Sequence, residues 1–308
     1  MFRKILVPLD GSKTAESALP YARVLAERLS AAVELLAVID AAEMTTSVSA
    51  AQTALANSVR ERASGMLDQY LRQIAKSFPR VHARCRVEEG APAEVIIGAA
   101  NADKETLIIM ASHGRSGIHR WLLGSVTEKV LRGAGNPLLV IRASESAAGE
   151  GQATLGSIVV PLDGSRLAEL ALAPALELAR SLKLEIVLVR TYEMPATAYY
   201  RGDDYPASAA AFIPSYAEVV DELSREAREY LDSKVKELRG QGLEQVQSKV
   251  PEGNAAEQVI NLASSRKDCL IAMCTHGRSG VKRWMLGSIT EKVVHYSSNP
   301  VLVIPAKD

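Results

Sequence analysis

One seventeen-residue stretch occurs twice: HGRSGIHRWLLGSVTEK begins at His113 and HGRSGVKRWMLGSITEK at His276. The copies stand 163 positions apart, from 113 to 276, in a chain of 308 residues. A repeat of that length makes each copy part of one folding unit of ordinary domain size, so the chain must build the same unit twice. The openings repeat too. Ile5 to Ser12 reads ILVPLDGS, and Ile158 to Ser165 reads IVVPLDGS, an interval of only 153. The difference between the two intervals places an insertion of ten residues in the second half, at YYRGDDYPAS from Tyr199 to Ser208. Two domains are expected at 1–143 and 156–308. Residues 144–155 form the linker between them, which overlaps the polar, small-residue run ASESAAGEGQAT from Ala143 to Thr154.

Within each half, short β-branched runs alternate with longer amphipathic patterns. Strands are expected at Arg3–Leu9, Val33–Ile39, Val81–Val87, Thr106–Met110 and Leu138–Ile141. Helices are expected at Ser12–Ser30, at Ala50–Lys76, from Pro92, and over Val126–Leu131. The second half repeats the order, with strands near Ser157–Leu162, Glu185–Thr191, Gln245–Val250, Cys269–Met273 and Val301–Ile304. Alternation of this kind gives right-handed crossovers and a parallel sheet covered on both faces. The fold class is therefore α/β, with two tandem Rossmann-like domains, each a five-stranded parallel sheet. In the order 3-2-1-4-5, the first and fourth strands flank the switch point where such sheets bind ligands. Asp10 and the loop from Gly114 would face one crevice, and Asp163 and the loop from Gly277 the other.

Lysine plus arginine equals aspartate plus glutamate at 36 each, so no net field draws nucleic acid or a membrane surface. Any anion site must be made locally. Cys85, Cys269 and Cys274 form neither a disulfide framework nor a CxxC knuckle, which fits a reducing compartment. With no apolar run near the ~20 residues that span a bilayer, a soluble cytoplasmic protein is expected.

The repeated loop can make the anion site. Gly114, Gly117 and Gly124 recur as Gly277, Gly280 and Gly287, with Ser125 and Ser288 directly behind the last glycine. Such a loop sets backbone N–H groups and a helix N-terminus against an anion. For the serine side chains alone, helix capping is the plainer reading. Arg115, Arg120, Arg278 and Arg283 are cations within reach of a phosphate, though arginine is commonly a solvated surface residue. His113 and His276 are single histidines with no partner at metal-ligand spacing, so they read as loop structure and no metal ligand set is expected. Asp10 and Asp163, each followed by Gly-Ser, read equally as ligand contacts or as the caps of a strand-to-helix turn.

With those motifs in place, both halves resemble universal stress protein (UspA-like) domains. Nucleotide-binding members of that family carry Gly-x2-Gly-x9-Gly-Ser/Thr after the fourth strand. Here the second and third glycines are Gly114 and Gly124, then Gly277 and Gly287. Ala111 and Cys274 replace the first, and the larger cysteine would crowd a ribose or phosphate more than the alanine. The resemblance implies ATP as ligand, with Mg2+ bridging its phosphates. Asp10 and Asp163 would lie beside ribose and phosphates, and Val38 and Thr191 would meet adenine through the backbone. Pro8 and Val126, with Pro161 and Ile289, complete the implied contacts. It also implies pairing through the last strand of each half, which a tandem chain satisfies as an intramolecular pseudo-dimer, with a homodimer as the further step.

A P-loop lysine, a SGGxDS loop and a HIGH motif are absent from the sequence, and Thr127, Glu128, Thr290 and Glu291 supply no dedicated catalyst. Binding is expected over turnover, in a stress-response module that regulates a protein partner, with slow ATP hydrolysis at most. The alternative is a nucleotide-free scaffold, favoured by Ala111 and Cys274. Tyr199, Tyr200 and Tyr205 read as a mobile loop or packing surface before they read as a lid over another ligand.

Overall fold

The computed structural model describes residues 2–40, 50–112, 123–142, 153–193, 216–276 and 286–306. The first half runs β1 (Lys4–Pro8), α1 (Leu19–Leu29), β2 (Ala32–Ile39), α2 (Ala50–Ala75), β3 (Ala83–Glu89), α3 (Pro92–Asn101), β4 (Thr106–Ala111), α4 (Ser125–Gly133) and β5 (Leu138–Ile141). The second runs β6 (Ser157–Pro161), α5 (Leu172–Leu182), β7 (Glu185–Val189), α6 (Tyr216–Gly240), β8 (Val246–Lys249), α7 (Ala255–Ser264), β9 (Cys269–Cys274), α8 (Ser288–Tyr296) and β10 (Val301–Ile304).

All ten strands form one sheet in the order β3-β2-β1-β4-β5-β10-β9-β6-β7-β8. Each half has the expected 3-2-1-4-5 order, with every pairing inside a half parallel. The halves meet at an antiparallel seam, where Val301, Leu302 and Val303 pair with Val140, Leu139 and Leu138. Pairing these two apolar strands with each other removes two sheet edges at once. Polar contacts also cross the seam: Arg132 Nη2 lies 3.4 Å from Glu291 Oε1, and Arg142 donates to the His295 carbonyl at 2.8 Å.

Two hydrophobic cores cover the sheet, one per face, and each runs through both halves. One packs Leu19, Leu25 and Leu71 on the same face as Leu178, Leu231 and Leu238. The other packs Ile96 and Val130 on the same face as Val259 and Val293. This is why the central strands are buried on both sides and read as unbroken apolar runs.

The expected helix over Ser12–Ser30 is divided. A 3₁₀ turn at Ala15–Ala18 precedes α1, whose first turn holds Pro20. Proline has no N–H to give the preceding turn, so it starts a helix more readily than it continues one.

One charged residue sits inside the apolar run of β2. Glu34 is 8% exposed and accepts from Lys4 Nζ at 2.7 Å and Arg86 Nη1 at 3.1 Å. Burial pushes its carboxyl up, but the two hydrogen bonds and the two positive charges outweigh that and hold it below the ordinary range. A lowered folded-state value contributes stability at neutral pH that disappears as pH falls through it. Glu34→Gln should therefore cost about 2 kcal/mol near pH 7, the scale of hydrogen bonds to a charged group. In urea melts that gap should begin to close below about pH 4.3. A gap that stays constant to pH 3 would place the effect elsewhere.

Candidate functional site

The carboxyl ends of β6, β7 and β9 open into a cleft of about 490 Å³, within the range of small-molecule sites. Its position follows from topology: β6 and β9 are neighbours whose crossovers leave in opposite directions, so nothing fills the space above them.

Eight residues singled out from the second half line this cleft: Pro161, Asp163, Thr191, Cys274, His276, Gly287, Ser288 and Ile289. They come from four separate stretches of chain. Pro161 ends β6, and Asp163 follows in a tight turn where its carboxylate accepts the Ser165 N–H at 2.9 Å. Gly164 within that turn has φ of 86°, a left-handed value that a side chain would strain. The turn-capping reading of Asp163 is therefore realised within the wall of the cleft. Asp10 repeats the arrangement, accepting from the Ser12 N–H at 2.9 Å and hydroxyl at 2.6 Å.

The floor of the cleft is held by two bonds. The Gly287 N–H donates to the Thr275 carbonyl at 2.7 Å, and the Thr290 hydroxyl donates to the Cys274 carbonyl at 2.8 Å. The first half has the same pair, Gly124 to Ser112 at 2.7 Å and Thr127 to Ala111 at 3.0 Å. These bonds fix the start of α4 and α8 against the ends of β4 and β9. Gly287 has φ −62° and ψ 141°, open to any residue, so glycine is needed there for space. A Cβ would stand 3.1 Å from the Thr275 carbonyl oxygen.

The capping reading of Ser125 and Ser288 is corrected here. Gly124 and Gly287 occupy the cap positions, the serines are the first helical residues, and no side chain caps either helix. Without a capping acceptor, the first N–H groups of α8 and the exposed Ser288 hydroxyl are left for an external partner. His276 Nδ1 meets Thr275 Oγ1 at 3.1 Å, while its Nε2 is buried with no hydrogen-bond partner among the described residues. A cleft with a helix N-terminus at one end and an orphaned imidazole nitrogen suits an anionic ligand.

Cys274 is 4% exposed and lines the wall of the cleft. Burial pushes its thiol up, which keeps it neutral and a poor metal ligand. Cys85, Cys269 and Cys274 are free thiols, and the described residues contain no cluster of three His, Cys, Asp or Glu that could hold a metal ion.

Of the first-half candidates, Pro8, Asp10, Val38, Ala111, Gly124, Ser125 and Val126 hold equivalent places at the ends of β1, β2 and β4 and the start of α4. His113, Gly114, Arg115, Gly117, Gly277, Arg278 and Gly280 lie outside the described residues, as do Arg120, Arg283 and the Tyr199–Ser208 insertion. The sequence reading missed the wall that α6 contributes through Leu223, Glu226 and Ala227, and Arg190 just beyond β7. The spacing of the α6 residues was a usable signal, since positions i, i+3 and i+4 share one helix face.

The fold and cleft together define a tandem α/β protein with an open cleft at a sheet switch point. The sequence profile of the Universal stress protein family matches residues 1–142 and 155–305, and the chain belongs to that family. A universal stress protein of Mycobacterium tuberculosis H37Rv is 27% identical over 202 residues, 66% of this chain and 62% of the relative, so the chain spans less than two thirds of that relative's length. A universal stress protein of Methanocaldococcus jannaschii is 30% identical over 161 residues, 47% of this chain and 98% of its own. The crystal structure of a universal stress protein from Archaeoglobus fulgidus aligns over 100% of both chains with a TM-score of 0.67 at 19% identity, a likeness of fold. Among the described residues no helix is long and apolar enough to cross a membrane.

Proposed function

We propose that the chain is an ATP-binding regulatory protein of the stress response. Its domains span 1–143 and 156–308, joined by 144–155, and the second-half cleft is its principal nucleotide site. The convergence of eight sequence-selected residues on one cleft carries this reading. Phosphates would lie on the first N–H groups of α8 and the Ser288 hydroxyl, ribose beside Asp163, and adenine against the backbone at Thr191. Bound with the nucleotide, Mg2+ would neutralise phosphate charge. The chain's own part is to orient the ligand: the Gly287–Thr275 and Thr290–Cys274 bonds hold the helix start in place before binding.

Occupancy would bias a surface that a protein partner reads. A cytoplasmic setting and pairing of two chains belong to the same proposal, the first supported by free thiols and balanced charge. The open cleft beside Cys274 weighs against a scaffold that has lost its ligand.

Calorimetric titration of nucleotide-stripped protein with ATP and Mg2+ tests the proposal. Saturable heat with a stoichiometry of at least one per chain is expected; its absence, confirmed by equilibrium dialysis, would overturn it. Phosphate release should not exceed that of Ser125→Ala and Ser288→Ala controls, the outcome expected of a site that binds without turnover.

A further inference from the structure

The two halves differ at a pair of positions on the cleft wall. Lys4 pairs with Ala32 where Ser157 pairs with Glu185, so Ala37 is the counterpart of Arg190. Tyr70 donates to Glu16 as Tyr230 donates to Glu169, which sets the register of α2 against α6. Four residues before each tyrosine stand Met66 and Glu226. The first half thus has a buried alanine and a methionine 72% exposed where the second has an ion pair, Arg190 Nη2 to Glu226 Oε1 at 2.6 Å.

The arginine is poorly satisfied for how little water it sees. Its side chain is 11% exposed and its guanidinium carbon lies 5.0 Å from the centre of the Tyr230 ring. Of its five N–H donors one group meets Glu226, itself 62% exposed, and among the described residues the others meet no acceptor. As a lash between β7 and α6, a pair with so exposed a partner adds little, and alanine serves the first half without desolvating a charge. Arg190 also lines the cleft.

Its place tells what it would meet. Arg190 directly follows β7, the second strand of its half, while Asp163 follows the first and α8 begins after the fourth. With adenine against the Thr191 backbone and ribose beside Asp163, Arg190 is the neighbour of the adenine contact, and in dinucleotide-binding sheets of this order an arginine near the second strand accommodates a phosphate on the sugar. We infer that Arg190 is a second anion reader of this cleft. Its preferred ligand is an adenine nucleotide carrying a phosphate on the ribose in addition to its 5′ phosphate. The inference rests on the nucleotide reading above, and it makes the two halves unequal in ligand choice, since Ala37 has nothing to offer such a group.

The test compares AMP, adenosine 2′,5′-bisphosphate and adenosine 3′,5′-bisphosphate by calorimetry on the full chain at fixed ionic strength. At least one bisphosphate should bind about 10-fold or more tighter than AMP, the scale of hydrogen bonds to a charged group. Arg190→Ala should erase that preference, lowering bisphosphate affinity about 10-fold more than AMP affinity, and Glu226→Gln, by removing the competing carboxylate, should increase it. If Arg190→Ala does not fold, Arg190→Lys replaces it; a point charge without the planar fork should lose most of the preference. AMP binding with no bisphosphate preference, or a preference untouched by these changes, overturns the inference and leaves the nucleotide reading standing. Failure of all three nucleotides, and of ATP, to bind overturns both.

Discussion

Leu302→Asp should unfold both halves of the chain in one transition. Leu302 is fully buried in the middle strand pair of the sheet, opposite Leu139 on β5 and Ala272 on β9. A carboxylate there finds no partner and costs about 4 kcal/mol or more, which sends the melting temperature down by about 10 °C or leaves no folded protein. The informative result is how far the damage spreads. Each core runs along a whole face of the ten-stranded sheet, so loss of the seam exposes strand edges and apolar surface in both halves. Circular dichroism melts should show one transition for wild type and no surviving first-half transition in the variant. A first half that stays protease-resistant after Leu302→Asp would show that the seam joins two independently stable units.

The second large effect is expected at Gly287→Val, and it should fall on binding. Its dihedral angles suit valine, so backbone strain is not introduced. The side chain instead pushes on the Thr275 carbonyl oxygen, 3.1 Å from the Cβ position, and on His276 Cα at 3.6 Å. His276 lines the cleft, and the 2.7 Å bond to Thr275 that anchors the start of α8 is lost or stretched. If phosphates sit on that helix start, ATP affinity should drop about 100-fold, or about 2.7 kcal/mol, while the melting temperature moves only a few degrees. Gly124→Val, measured beside it, reports what the first half contributes. Unchanged ATP heat in a folded Gly287→Val protein would remove the second-half cleft as the nucleotide site.

Much of this was legible before any coordinate. The repeat and the alternation of short apolar runs with amphipathic ones specify five-stranded parallel halves, because a strand covered by helices on both faces must be apolar throughout. The glycine-rich loop singled out a candidate region, since a backbone that approaches a ligand closely has few residue types to choose from. Where local chemistry has two solutions, the reading was less secure. Ser288 looked like a cap, and it is instead the first helical residue because Gly287 takes the cap position.

Sequence alone settled the number of halves, the class of fold and the order of strands within each half. These follow from periodicity, and periodicity is written locally along the chain. The resemblance implied pairing through the last strands, and β5 and β10 do join the two sheets into one; only the tertiary structure decided that the cleft borrows a wall from α6 and that Arg190 stands in that wall beside Glu226. Those facts depend on residues far apart in sequence reaching the same place, and the unequal spacing of the halves, 153 at the first two strands but 160 at Tyr70 and Tyr230, hides the correspondence of the long helices from any simple overlay. What a side chain meets across 36 residues of chain, as Arg190 meets Glu226, is fixed by packing, which no local pattern records.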